Sequence, residues 1–285
     1  MTDLHRSCSR VVLPAACAAV VLAAAAAWAC GPWLPNRILL GTDQELARPP
    51  LGGFQAEIDR LLNRPPASVA PAAAPSNETA KADLADLRDA LQASGLAADR
   101  REQVIQRYSA ARKTLANYQQ DVEEWKAKGD NSERPRAPNP GVPDGLPPEF
   151  ADYLRGAICY HRGVLDGARA AWQAVLDRPE AERRHRTTWA AFMIGKSWLE
   201  SDPAKAVEAF RRTRELAAAP GICDSLGLAA ASLGWEARAE LNRKGCEAAI
   251  ALYLQQRASG DPTALPSLQR AAREALAAPP ETLAR

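Results

Sequence analysis

The chain has 285 residues, with 36 basic and 34 acidic side chains, a formal net charge of +2 and only 6% aromatics. That length suits one or two domains with a sizeable core. The near balance of charge excludes the strong basic excess usual in a dedicated nucleic-acid binder, so no nucleic-acid partner is expected. No segment alternates with strand period, and apolar residues recur at helical spacing. The expected fold class is all-α.

Residues 1–29 read as a targeting or anchoring segment. Arg6 and Arg10 stand against Asp3, and residues 11–29 are then free of charge, interrupted by Pro14. The stretch closes on Ala27-Trp28-Ala29-Cys30. Small residues before a Cys resemble the bacterial lipobox, in which that Cys is lipidated and becomes the mature N-terminus. Cys30 is the lipidation candidate. Trp28 departs from the pattern, which has a small residue there, and Ala27 stands where Leu is typical. Cleavage after Ala29 and an uncleaved membrane anchor are the alternatives. Each places the remaining chain outside the cytoplasm, facing the periplasm, and lipidation or an uncleaved anchor would also hold it at the membrane.

Residues 30–76 form an irregular segment and linker. Pro32 and Pro35 restrict their neighbours, a short helix is predicted over Gln55–Leu62, and "PPASVAPAAAPS" is a Pro/Ala linker. Residues 77–128 read as a helical hairpin. Leu84, Leu87 and Leu91 share one face of the first helix, which stops near Gly95. The second opens with a capping-box variant, Asp99 and Glu102. It carries the stripe Val104, Tyr108, Ala111, Leu115, Tyr118, Val122 and Trp125. Such a stripe serves either a coiled-coil docking arm or a hairpin packed within its own chain, and its short length favours the second. Residues 129–148, rich in Pro and Gly, form a second linker or long surface loop.

Residues 149–277 carry the clearest pattern. Gly156, Gly163, Ala168, Trp172 and Val175 occupy small, turn, small, large and core positions. Ile194, Gly195, Trp198, Ala206 and Phe210 repeat the scheme, with a turn at Ser201-Asp202-Pro203. A third, weaker unit is a helix over Asp224–Asn242, a turn at Arg243-Lys244-Gly245, then Ala249, Ile250 and Tyr253. This spacing resembles the tetratricopeptide repeat, stacked pairs of antiparallel helices, and the resemblance implies an α-solenoid of helical hairpins preceded by a further hairpin and an N-terminal signal or anchor segment. The opening "ACGPWLPNRILL" resembles that of bacterial repeat lipoproteins of uncharacterised function. A last helix near Pro266–Leu276 is positioned to cap the stack, and residues 278–285 are a tail. So thin a cap points to a longer native chain or to coverage by a partner.

The resemblance implies that the unpacked faces of the first helix in each pair line a concave, partner-binding surface. By spacing these are Tyr153, Tyr160 and His161, then Trp189, Phe192, Lys196 and Glu200, and in the third unit Trp235, Asn242 and Arg243. Aromatics and a few charges suit a protein or peptide partner, although Phe192 and Trp235 also suit a core. The run Arg183-Arg184-His185-Arg186 lies between repeats and reads as a solvated loop, with an acidic partner or lipid headgroups as the alternative.

Catalytic signatures are missing. There is no nucleophile elbow, P-loop, GxGxxG, HExxH or CxxC. No enzyme activity, cofactor or metal is expected. Cys159 falls on a packing face, so Cys159 and His161 are not read as a metal pair. After Cys8 and Cys17 leave with the signal, Cys159, Cys223 and Cys246 remain, and a reversible Cys223–Cys246 disulfide is a minor reading. The functional expectation is a cell-envelope lipoprotein whose repeats scaffold a protein–protein interaction. The alternative is the helical accessory region of a peptidoglycan-acting enzyme whose catalytic domain lies outside this chain.

Overall fold

The structure is a computed structural model that describes residues 53–63, 75–129, 133–261 and 263–277. Cys30 with the signal or anchor segment, and the tail 278–285, lie outside the described residues. The chain divides into two compact units, Met1–Pro66 and Ala67–Arg285. In the first, α1 (Phe54–Leu61) starts after Gly53, one residue ahead of the prediction, and pairs Glu57 with Arg60 across one turn.

Helices are the only regular secondary structure of the second unit among the described residues. Its helices are α2 (Pro75–Gln92), α3 (Ala98–Lys128), α4 (Pro148–His161), α5 (Leu165–Leu176), α6 (Thr187–Trp198), α7 (Pro203–Ala217), α8 (Leu228–Asn242), α9 (Cys246–Ala258) and α10 (Ala264–Ala277). No helix among the described residues is long and apolar enough to cross a membrane.

Gly95, at φ +69°, turns the chain between α2 and α3. The expected capping box does not form. Ala97 is the N-cap and makes no side-chain cap, and Asp99 sits inside the first turn, where its carboxylate faces the positive end of the helix dipole. The stripe on α3 is internal to the fold. Val104, Ile105, Tyr108, Ala111 and Leu115 pack with Leu87 and Leu91 of α2 and with Phe150, Leu154, Ala157 and Ile158 of α4. The Pro-rich segment 133–147 is non-helical as read, yet Val142 and Leu146 lie against this core rather than hanging free.

From α4 onward each helix packs on the next, with further contacts of α4 on α6, α6 on α8 and α8 on α10. The small positions explain why. A Cβ at Gly156 would collide with the Trp172 indole, and one at Gly195 would stand 2.6 Å from the Phe210 ring. Only Gly lets a bulky ring from the second helix reach the backbone of the first. Trp172 uses that approach to donate its indole N–H to the Tyr153 carbonyl at 3.2 Å. In the third pair, α8 begins at Leu228, not at Asp224. The Asp224 carboxylate accepts instead from the amides of Leu228 at 2.8 Å and Ala229 at 3.0 Å. Ala249 and Tyr253 are buried as expected, and Ile250 is only half-buried.

Candidate functional site: a groove between the third helix and the helix pairs

One face of α4, α6 and α8 and the C-terminal half of α3 enclose a groove of about 1000 Å³. Its floor is aromatic. The Tyr153 and Trp189 rings meet edge to face at 5.7 Å, and Phe192 and Trp235 do the same at 6.2 Å. Tyr160 packs beside Trp172 at 5.7 Å. The opposite wall comes from α3, where Tyr118 meets the His161 ring at 5.9 Å and Val122 lies one turn further on.

Positive charge lines this apolar floor. The Lys196 ammonium lies 4.6 Å above the Trp235 ring and, among the described residues, forms no salt bridge. Burial lowers its pKa, Arg238 lowers it further, and Glu123 works in the other direction. His161 is lowered to about 4 by burial and then by Arg112 and Lys196, so its ring is neutral near pH 7. Arg112 donates to Asp83 at 2.7 Å and reaches over the Tyr153 ring. Burial disfavours the Arg112 cation, and Asp83 together with the Tyr108 and Tyr153 hydroxyls more than offsets that, leaving its pKa raised. Glu123 and Glu200 supply negative charge at the rim.

Of the residues proposed from sequence, Tyr153, Tyr160, His161, Trp189, Lys196, Glu200 and Trp235 all line the groove, and so does Phe192. Asn242 and Arg243 do not. Both close the end of α8, where Asn242 donates to the Leu199 carbonyl at 3.1 Å and Arg243 pairs with Glu240 at 3.2 Å. The α3 residues Arg112, Tyr118 and Val122 were not anticipated as groove residues. Their stripe was legible, but its partner surface was not.

No family model, curated protein or solved structure matches the chain.

The basic run under the groove is not a solvated loop. Arg186 is fully buried, with its guanidinium 4.1 Å from the Phe150 ring centre and 4.4 Å from that of Trp189. It donates to Asp83 at 2.5 Å and to Asp86 at 3.0 Å, both on α2. Asp83 also accepts from the Tyr108 hydroxyl at 2.7 Å. The Glu149 carboxylate accepts from the backbone amides of His185 and Arg186 at 2.9 and 2.7 Å. Only Arg184 of the run behaves as expected, with a side chain 62% exposed. The pairing overrides the desolvation that makes a lone buried charge prohibitive. It also fixes the α2–α3 hairpin against α4 and α6, and so sets the wall of the groove.

Proposed function

We propose that the second unit is a tetratricopeptide-like α-solenoid that binds a peptide segment in this groove, within an envelope protein held at the membrane through Cys30 or an N-terminal anchor. The segment carries a carboxylate flanked by apolar side chains. The observation that carries this reading is Lys196, a largely buried cation over an indole, with no salt bridge among the described residues, between an aromatic floor and the α3 wall. A carboxylate placed there gains a charge-assisted hydrogen bond in a poorly hydrated setting. The aromatic floor supplies the apolar area that dominates hot spots. The spacing of Gly156 with Trp172 and of Gly195 with Phe210 supports the repeat assignment, and the Ala27–Cys30 junction supports the anchored location.

Lys196→Glu is expected to weaken peptide binding at least tenfold, about 1.4 kcal/mol or more, and Tyr160→Ala to weaken it similarly. Trp189→Ala is a poor probe, because Trp189 is 3% exposed and stacks on Arg186, so its loss disturbs the fold as well as the groove. Titration of the variants against one selected peptide, with circular dichroism as the folding control, checks this. Unchanged affinity in both variants would remove the groove as the binding site.

A further inference from the structure

The geometry points to a divalent transition-metal site, of the class zinc occupies, where α2, the loop before α6 and the loop before α8 meet, with Asp86, His185 and Cys223 as its ligands. Asp86 Oδ1 lies 3.8 Å from His185 Nδ1 and 3.9 Å from Cys223 Sγ, and the three donor atoms all fall within 4.8 Å of one another. Bonds of about 2.0–2.3 Å to a tetrahedral zinc separate its donors by roughly 3.3–3.6 Å. A contraction of a few tenths of an ångström to about 1.3 Å therefore closes the set around one ion.

Two independent features aim the donors inward. The His185 side chain is 6% exposed, and its Nε2 stands 3.3 Å from the Asp89 carboxylate. In the tautomer that carries its proton on Nε2, beside that carboxylate, Nδ1 is a bare lone pair. Nδ1 makes no hydrogen bond among the described residues and faces an anionic oxygen and a sulfur. An unsatisfied buried acceptor in that setting is unfavourable unless something positive sits between the three atoms. A carboxylate that orients a ligating imidazole through its other nitrogen is also the usual support of a zinc histidine. On Asp86, Oδ2 is occupied by Arg186 at 3.0 Å and by the Ser225 hydroxyl at 2.8 Å. These bonds hold the carboxylate so that Oδ1 remains for the ion.

The charges balance. A dication with Arg186 and Arg112, which share Asp83, is matched by the Asp83, Asp86 and Glu149 carboxylates and a Cys223 thiolate. Binding replaces the thiol proton, which is released to solvent, by the metal–sulfur bond. Sulfur, nitrogen and oxygen together favour zinc or cobalt over magnesium or calcium. Three protein donors leave a fourth position for water or an exogenous ligand. The site would clasp the hairpin to the repeats from segments about a hundred residues apart.

The test is a Co²⁺ titration of the reduced, full-length protein, without a histidine tag and in detergent, followed by absorbance. The expected result is one equivalent bound, with a thiolate-to-cobalt charge-transfer band and tetrahedral d–d bands, both bleached by Zn²⁺. Cys223→Ser removes the charge-transfer band and Cys246→Ser leaves it. Zn²⁺ raises the melting temperature of the parent and not of Cys223→Ser. Absence of a thiolate band in the folded parent, or its survival in Cys223→Ser, would overturn the assignment. In that case a proton on Nδ1 would be the occupant, readable from the imidazole ¹⁵N shifts.

Discussion

Arg186 carries more of the structure than its sequence position suggests. A guanidinium with no exposure is held by two carboxylates and sandwiched between Phe150 and Trp189. Removing one partner of such a set leaves the other charges buried and uncompensated. Arg186→Met is therefore expected to cost about 3–5 kcal/mol in urea unfolding. Arg184→Ala, on an exposed side chain 3.6 Å from Asp89, should change stability by no more than about 0.5 kcal/mol. Equal effects from the two would contradict the buried network. Sequence could not reveal this difference. The four-residue basic run was visible, but the carboxylates that neutralise it lie 100 and 103 positions upstream. His161 gives a second residue-scale prediction. Its pKa falls from 6.5 to about 4 on folding, so between those values the unfolded chain binds more protons. The stability it contributes is complete above about pH 6.5 and is lost as pH falls towards 4. Its partial exposure limits the loss to about 1–2 kcal/mol. Denaturant melts from pH 7 to 4 should show that extra decline in the parent, and His161→Gln should flatten it.

At the scale of elements, the helix pairs α4–α5 and α6–α7 each rest on a glycine meeting a ring. Gly156→Ala and Gly195→Ala place a methyl inside the space of Trp172 and Phe210. Each should destabilise by about 1–3 kcal/mol. Gly163→Ala differs in cause, since its Cβ would meet nothing within 4 Å but its φ is +77°, and the penalty there is about 1–2 kcal/mol of backbone strain. Thermal melts of the three variants, with near-UV signals from Trp172 reporting the packing, separate the mechanisms. Undisturbed Trp172 signals and full stability in Gly156→Ala would show that the close approach is not needed. These pairs were legible because small and large residues recur at fixed spacing. The helix starts were less so. Asp99 was read as a cap and lies within the first turn, whereas Asp224 was read as the first helical residue and lies ahead of the N-cap Gly227, where its carboxylate accepts from the amides of Leu228 and Ala229. An Asp suits either place, and only the backbone path decides between them.

At the scale of the whole molecule, α3 does two things along one stripe. Its N-terminal half closes a core with α2 and α4, and its C-terminal half, through Tyr118 and Val122, forms a groove wall. The groove exists because the buried arginine fixes that helix across one face of α4, α6 and α8. Repeat spacing located the floor, since the side chains of one helix face follow from periodicity. It did not locate the wall, because nothing in a sequence stripe says which surface will cover it. The same limit explains Asn242 and Arg243, which continue the face of α8 in register but lie past the end of the groove. The most direct test is to select peptides from a random library on the immobilised full chain and titrate the winners against the parent, Lys196→Glu and Asn242→Ala. The account predicts peptides that pair a carboxylate with apolar side chains, bound at least tenfold more weakly by Lys196→Glu and equally well by Asn242→Ala. Failure to enrich any peptide, or winners whose affinity ignores Lys196, would contradict it.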